Sequence, residues 1–341
     1  MTPTMRAIVC RKPHDIAIEF RSLAPRAGGE VTVKLSRIGI CGTDYHIYEG
    51  LHPFLQYPRV MGHELAGLVE EADPSSAFAR GQLVAVNPYI ACGTCHACRQ
   101  GKPNCCMNIA VLGVHRDGGM TEYLNLPETN LLAAGDMPAD AAACIEFMAI
   151  GAHAVRRSEL RPGSRALIVG AGPIGLGTAF FAKFAQADVS IMDRDATRLA
   201  LATRTIGNPN GILSDEDVQD KVLAATDGDG FDVVFDATGN GKSMEASFDF
   251  AAHGGSYVLV GLVKERISFF DPDFHKREMK LLASRNATHE DFQTVMSAVQ
   301  AGLVPIDRLI THRTSFDEVT TLLPQWAHDK SGLIKAVIDL G

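Results

Sequence analysis

Five residues, Arg165-Ala166-Leu167-Ile168-Val169, run directly into Gly170-Ala171-Gly172-Pro173-Ile174-Gly175. The apolar run suits a strand covered on both faces of a parallel sheet, and the glycine series is the G-x-G-x-x-G turn that opens a helix. Each glycine has its own duty. Gly170 makes the tight turn, Gly172 lets a pyrophosphate approach the backbone, and Gly175 lets the helix pack on the strand. Pro173 and Ile174 then occupy the first helical turn, whose amides face a bound phosphate. Residues 166–182 carry no charge, a length that approaches a membrane span, but Gly170, Gly172, Pro173, Gly175 and Gly177 divide them into strand, turn and helix start.

The same alternation continues downstream. A strand over 188–192 ends at Asp193, 18 residues past Gly175. An acid there accepts the ribose hydroxyls and repels a 2′-phosphate, which favours NAD over NADP; Arg194 beside it is the one feature that would tolerate the phosphate. Strands over 231–235 and 257–260, with helices over 196–205, 218–225 and 242–252, complete an α/β, doubly wound parallel sheet from about 165 to 284.

Upstream, five of the eight cysteines crowd into fifteen residues: Cys92, Cys95, Cys98, Cys105 and Cys106. With 32 Lys+Arg against 40 Asp+Glu, the net charge of −8 argues against a nucleic-acid backbone or an anionic membrane as the main partner. The stretch from Met1 to His14 has no apolar run long enough for a secretory leader, so a cytoplasmic address is expected. Disulfides do not persist there, and thiols at this spacing wrap a tetrahedral metal, for which zinc is the natural ion. Four thiolates leave no open coordination position, so this zinc is expected to be structural. Arg99, Lys102 and Arg116 are too few, and too poor in aromatic company, for a nucleic-acid surface.

A second donor set precedes it. Cys41 lies in Gly39-Ile40-Cys41-Gly42-Thr43-Asp44-Tyr45-His46, and His63 and Glu64 follow Gly62. Thiolate, imidazole and carboxylate neutralise Zn²⁺ and leave one exchangeable position, the pattern of a catalytic site. Asp44 is the candidate carboxylate to orient His63. Alone, a cysteine 22 residues before a His-Glu pair describes a buried thiol and a core histidine equally well. The surrounding motifs decide it.

Taken together, residues 39–50 (GICGTDYHIYEG), 57–67 (YPRVMGHELAG), the cysteine loop, 112–123 (LGVHRDGGMTEY), 170–176 (GAGPIGL) and 309–313 (LITHR) resemble the zinc-dependent medium-chain alcohol dehydrogenase family along nearly the whole chain. They are most similar to its polyol and sugar-acid branch. The resemblance implies a Rossmann domain over 147–284 and a discontinuous, partly β-barrel, GroES-like catalytic domain over 1–146 and 285–341. It implies two zinc ions per chain, and it selects Cys106 over Cys105 as the fourth structural ligand. Cys41, His63 and Glu64 match the catalytic zinc positions, and Glu146 matches a glutamate that ligates the zinc or holds its water. Thr43 matches the hydroxyl that meets the reacting oxygen, and His46 the end of a proton relay. Asp193 and Arg198 match the ribose acid and an arginine near the adenine; Val260, Gly261 and Leu262 match a segment near the nicotinamide, and Arg285 and Asn286 match positions near the substrate.

The implied activity is hydride transfer between NAD and the secondary alcohol of a small hydroxylated substrate. Oxidation of the L-galactonate or L-gulonate 5-dehydrogenase kind is favoured, with L-threonine 3-dehydrogenase and sorbitol dehydrogenase as alternatives. Ile47 replaces a substrate-contacting tyrosine of sorbitol dehydrogenase, and Phe147 replaces the branch's proline after the glutamate. A catalytically silent regulator on the same fold is the non-enzyme alternative. The family also implies a homodimer or homotetramer.

Overall fold

The computed structural model describes residues 4–52, 55–207 and 210–341. Met1 to Pro3, the start of the stretch read for a leader, lie outside the described residues. Two compact units divide the chain, one of Met1–Glu146 with Thr288–Gly341 and the other of Phe147–Ala287. The second crossing therefore falls at 287/288 rather than 284/285, and Arg285 and Asn286 go with the second unit. The reason is local. Thr288 caps helix His289–Gln300, its amide and hydroxyl both donating to Asp291 at 2.8 and 2.7 Å, and this capping box starts the returning segment.

In the first unit, strands Leu131–Ala133, Leu83–Val86, Glu64–Glu71, Glu30–Ile40, Lys335–Asp339 and Ile310–Ser315 lie side by side in that order, and Tyr123–Pro127 also pairs with Glu30–Ile40. Val31, Val33, Leu35, Ile38 and Ile40 of the longest strand are all buried. The C-terminal strand is an interior one. It pairs antiparallel with Glu30–Ile40, placing Ala336 opposite Ile40 and Asp339 opposite Arg37, and parallel with Ile310–Ser315. Arg37 fastens this join, donating to Asp140 at 2.9 Å and to Asp339 at 2.5 Å. Helix Val319–His328 precedes the C-terminal strand and buries Val319, Leu323 and Ala327.

The second unit is a Rossmann fold. Among the described residues its six strands are all parallel, in the order Gly211–Leu213, Asp188–Asp193, Arg165–Val169, Phe231–Asp236, Ala251–Leu259 and Lys280–Ala283. The winding reverses between Arg165–Val169 and Phe231–Asp236, and sheets of this kind bind ligands outside the carboxyl ends of the strands at that point. Leu167, Val169, Met192, Val222, Phe231, Val234 and Tyr257 pack into its core, where Phe248 stacks on Tyr257 at 4.3 Å. This packing corrects the helix expected over 242–252. The α-helix stops at Ala246, a tighter turn over Ser247–Phe250 carries Phe248 and Phe250 inward, and Ala251 already pairs with Phe231. No helix among the described residues is long and apolar enough to cross a membrane.

Candidate active site

The 22-residue gap between Cys41 and His63 is closed by strand pairing. Gly39 lies opposite Glu64 and Ile38 opposite Leu65, so the residues just beyond that register, Cys41 and His63, emerge at the same end of the ladder. Gly39 is required there, because a methyl group in its place would overlap the Glu64 carboxylate. The ligand atoms of Cys41, His63 and Glu64 lie within 4.8 Å of one another. Cys41 follows the strand and caps helix Gly42–Tyr48, which presents Thr43 half-buried and His46 exposed.

Asp44 does not hold His63 as expected. It is fully buried, and its carboxylate accepts the amides of Cys41 at 2.9 Å and Gly62 at 3.2 Å, while His63 Nδ1 stands 4.0 Å away. Asp44 thus fixes the backbone on both sides of the donor set. His63 Nδ1 is buried without a hydrogen-bond partner among the described residues. Burial works to lower the His63 pKa, but Cys41, Asp44 and Glu146 outweigh it and carry it well above the ordinary value. A pocket that draws a proton onto a buried imidazole is one that accepts a cation, and a soft thiolate, an imidazole and a carboxylate are zinc donors. The residues fit the ion.

Two partners of this set escape notice in the sequence. Lys335 is 1% exposed, and its Nζ lies 2.6 Å from both Glu64 oxygens and 3.3 Å from the Ile40 carbonyl. Its only signal is a lysine standing in the apolar run Leu333 to Ile338. Tyr89, also buried, donates its hydroxyl to Glu146 Oε1, and burial pushes the Glu146 carboxyl up to about 6.

The cysteine loop forms a separate cluster. Thiolates on a tetrahedral ion with bonds of about 2.3 Å stand roughly 3.8 Å apart. Here Cys95 is 3.5 Å from Cys98 and 3.9 Å from Cys106, and Cys106 is 3.4 Å from Cys92. Cys106 is buried in this group, whereas Cys105 is exposed and outside it. The Thr94 and Cys95 amides draw the Cys92 thiol down to about 5, toward the thiolate a metal needs.

In the second unit, Gly170 adopts φ +103° and packs against the backbone of Ala237 and Thr238, so the turn closes on the neighbouring strand's loop. Gly172 caps helix Pro173–Phe184, and a side chain there would meet nothing within 4 Å, which leaves the helix N-terminus open to a phosphate. A methyl group on Gly175 would overlap the Gly170 carbonyl. Asp193 ends its strand, and its two oxygens accept the amides of Ala171 and Asp195, both at 2.9 Å. Arg194 is exposed and Arg198 stands in the first turn of helix Ala196–Ile206. Val260 and Gly261 both donate to the Asp236 carbonyl at 2.9 Å, and Leu262 is exposed. Arg285 is exposed and Asn286 takes a left-handed φ of +53°.

Two family models match, the alcohol dehydrogenase GroES-like domain over residues 27–136 and the zinc-binding dehydrogenase over 173–301. The L-galactonate-5-dehydrogenase of Escherichia coli K12 is 41% identical, over 98% of this chain and 99% of that protein. Among solved structures, RspB of Escherichia coli CFT073, an alcohol dehydrogenase complexed with NADH, superposes with a TM-score of 0.92 at 30% identity, covering 99% of both chains. A zinc-binding dehydrogenase of Sinorhizobium meliloti 1021, bound to NADP, gives 0.89 at 29% identity, over 99% of this chain and 100% of that one. The chain belongs to the zinc-binding alcohol dehydrogenase family. Within that class it is an oxidoreductase with a nicotinamide dinucleotide as its coenzyme.

Proposed function

We propose that this enzyme oxidises the secondary hydroxyl of a sugar acid of the L-galactonate or L-gulonate kind, with NAD as acceptor. Full-length similarity at 41% to an L-galactonate-5-dehydrogenase carries the substrate class. Cys41, His63 and Glu64 hold the catalytic zinc, and Cys92, Cys95, Cys98 and Cys106 hold the structural one; Glu146 ligates the catalytic zinc or holds its water. When bound, the catalytic zinc supplies Lewis acidity that makes a hydroxyl more acidic.

The chain's own groups do the rest. Thr43 Oγ1, half-buried two residues past Cys41, accepts the hydroxyl proton while handing its own on toward the exposed imidazole of His46, which passes a proton to solvent. The substrate carbon gives up a hydride to the nicotinamide, so the alcohol loses two electrons and two protons in all. Gly170, Gly172, Pro173, Ile174 and Gly175 seat the pyrophosphate, and Asp193 accepts the ribose hydroxyls. Since relatives of nearly equal identity carry NADH and NADP, the preference for NAD rests on the Asp193 carboxylate. Arg194 and Arg198 flank the adenosine end, Val260, Gly261 and Leu262 the nicotinamide, and Arg285 and Asn286 the substrate. A reducing cytoplasm suits free thiols at metal-ligand spacing, and a homodimer or homotetramer is the assembly proposed.

NADH formation, followed by absorbance across hexonates, polyols and 3-hydroxy amino acids, tests this reading. Turnover highest on L-galactonate or L-gulonate is the expected result. Oxidation confined to L-threonine overturns the substrate class, and NAD binding without oxidation of any hydroxylated compound overturns the activity.

A further inference from the structure

Glu64, a member of the donor set, and Glu146, whose charge acts on His63, are both buried, and they are not held alike. Glu64 gives both oxygens to the Lys335 ammonium, at 2.6 Å each, in the notch left by Gly39. Glu146 gives one oxygen, Oε1, to the neutral phenol of Tyr89. The ammonium anchors Glu64 through both oxygens, whereas the phenol binds one oxygen of Glu146 and leaves the other to a second partner.

Tyr89 has little freedom to do otherwise. Its amide donates to Asn87 Oδ1 at 3.0 Å, and Asn130 Nδ2 donates to the carbonyls of Asn87 at 2.8 Å and Tyr89 at 3.3 Å. The residue pairs with Val111 in the two-stranded ladder Tyr89–Ile90 with Ala110–Val111, which closes the base of the cysteine loop. Its ring meets Phe292 edge-on, centroids 6.2 Å apart. Backbone and ring are both fixed before the hydroxyl reaches Glu146.

We infer that Tyr89 is a positioning residue for Glu146: it binds Oε1 and so leaves Oε2 for the zinc or a water on it, as Lys335 holds Glu64 in place within the donor set. This rests on the zinc dehydrogenase reading. It adds a residue outside the metal-ligand set, at the foot of the structural loop, whose hydroxyl decides how the second glutamate serves the first metal.

Tyr89→Phe tests it, because the change removes one oxygen and keeps the ring. Three readouts are taken on the full chain loaded with zinc, and on the same protein with Co²⁺ at the catalytic site: the visible cobalt spectrum without substrate, the rate of zinc loss to a chelator, and kcat with KM. Loss of a partner that orients a metal-site group typically costs 10–100-fold, so zinc loss about tenfold faster, a shifted cobalt spectrum and kcat about tenfold lower with KM nearly constant are expected. Phe231→Leu, in the core of the other unit, controls for general destabilisation and should move the thermal midpoint alone. In a Glu146→Gln background, Tyr89→Phe should have little further effect. An unchanged spectrum and zinc-loss rate in Tyr89→Phe overturn the inference, as does an effect of full size in the Glu146→Gln background. A wild-type protein that takes up only the structural zinc overturns the parent reading together with it.

Discussion

Lys335 Nζ lies 2.6 Å from both carboxylate oxygens of Glu64, and side-chain exposure is 1% for the lysine and nil for the glutamate. The pair joins strand Lys335–Asp339 to strand Glu64–Glu71, so the return of the C-terminal segment is tied to the proposed zinc site as well as to the fold. Burial pushes the lysine toward neutrality, but Glu64 and Cys41 more than compensate and hold it charged, with its pKa raised. Removing one member of a buried pair leaves the other charge uncompensated, a loss of about 3–5 kcal/mol. Lys335→Met is therefore expected to destabilise the first unit severely, and Lys335→Met with Glu64→Gln to recover much of the loss. Urea unfolding of the wild type, Lys335→Met, Glu64→Gln and the double variant checks this; additive losses would show that the two side chains do not stabilise each other.

Coenzyme choice is expected to follow one charge. Asp193→Asn keeps an oxygen to accept the Ala171 or Asp195 amide, so the turn survives, but it no longer repels a 2′-phosphate near Arg194 and Arg198. The ratio of kcat/KM for NADP over NAD should rise by about tenfold or more, equivalent to about 1.4 kcal/mol. A ratio unchanged from the wild type would mean that selectivity lies elsewhere in the second unit.

Acid stability offers a third check. Arg313, donating at 2.7 Å, and Arg37, at 2.9 Å, hold the Asp140 carboxyl below the usual aspartate range despite its partial burial. A carboxyl depressed in the folded state adds stability that is complete above its unfolded pKa, about 3.9, and is lost as pH falls through the lower folded value. Thermal midpoints of wild type and Asp140→Asn should thus differ most near neutrality and converge as the pH is taken below about 4. A gap independent of pH would exclude the charge as its cause.

Features written within a few residues of one another are the legible ones. The Gly170 to Gly175 turn and the Cys92, Cys95 and Cys98 series need only a local backbone, and their spacing states their geometry. Lys335 and Tyr89 work across 271 and 57 residues, and only the sheet register brings them to Glu64 and Glu146. Asp44 departs from its sequence neighbourhood for the same reason. Its neighbourhood suggested a bond to His63, but the turn uses its carboxylate for the amides of Cys41 and Gly62. The helix over 242–252 failed for a related reason. Helical apolar spacing cannot foresee that Phe248 and Phe250 go inward from a tighter turn to fill the core beneath Phe231 and Tyr257.

Adjacent cysteines separate the structural site from a merely cysteine-rich loop. Cys106 is buried, with its sulfur 3.4 and 3.9 Å from those of Cys92 and Cys95, and it accepts the amides of Cys92 at 3.3 Å and Asn108 at 3.4 Å. Those donors support a thiolate, and the spacing is that of a shared tetrahedral ion. Cys105, one residue earlier, is exposed and outside the cluster. Cys105→Ser should therefore retain two zinc ions per chain and the wild-type thermal midpoint, while Cys106→Ser should bind one and unfold at lower temperature, since a structural zinc adds its binding energy to folding. Zinc content by elemental analysis, read beside calorimetry, distinguishes the two. Equal zinc loss in both variants would mean that the loop can exchange one thiol for its neighbour, and that the buried position of Cys106 does not choose the ligand.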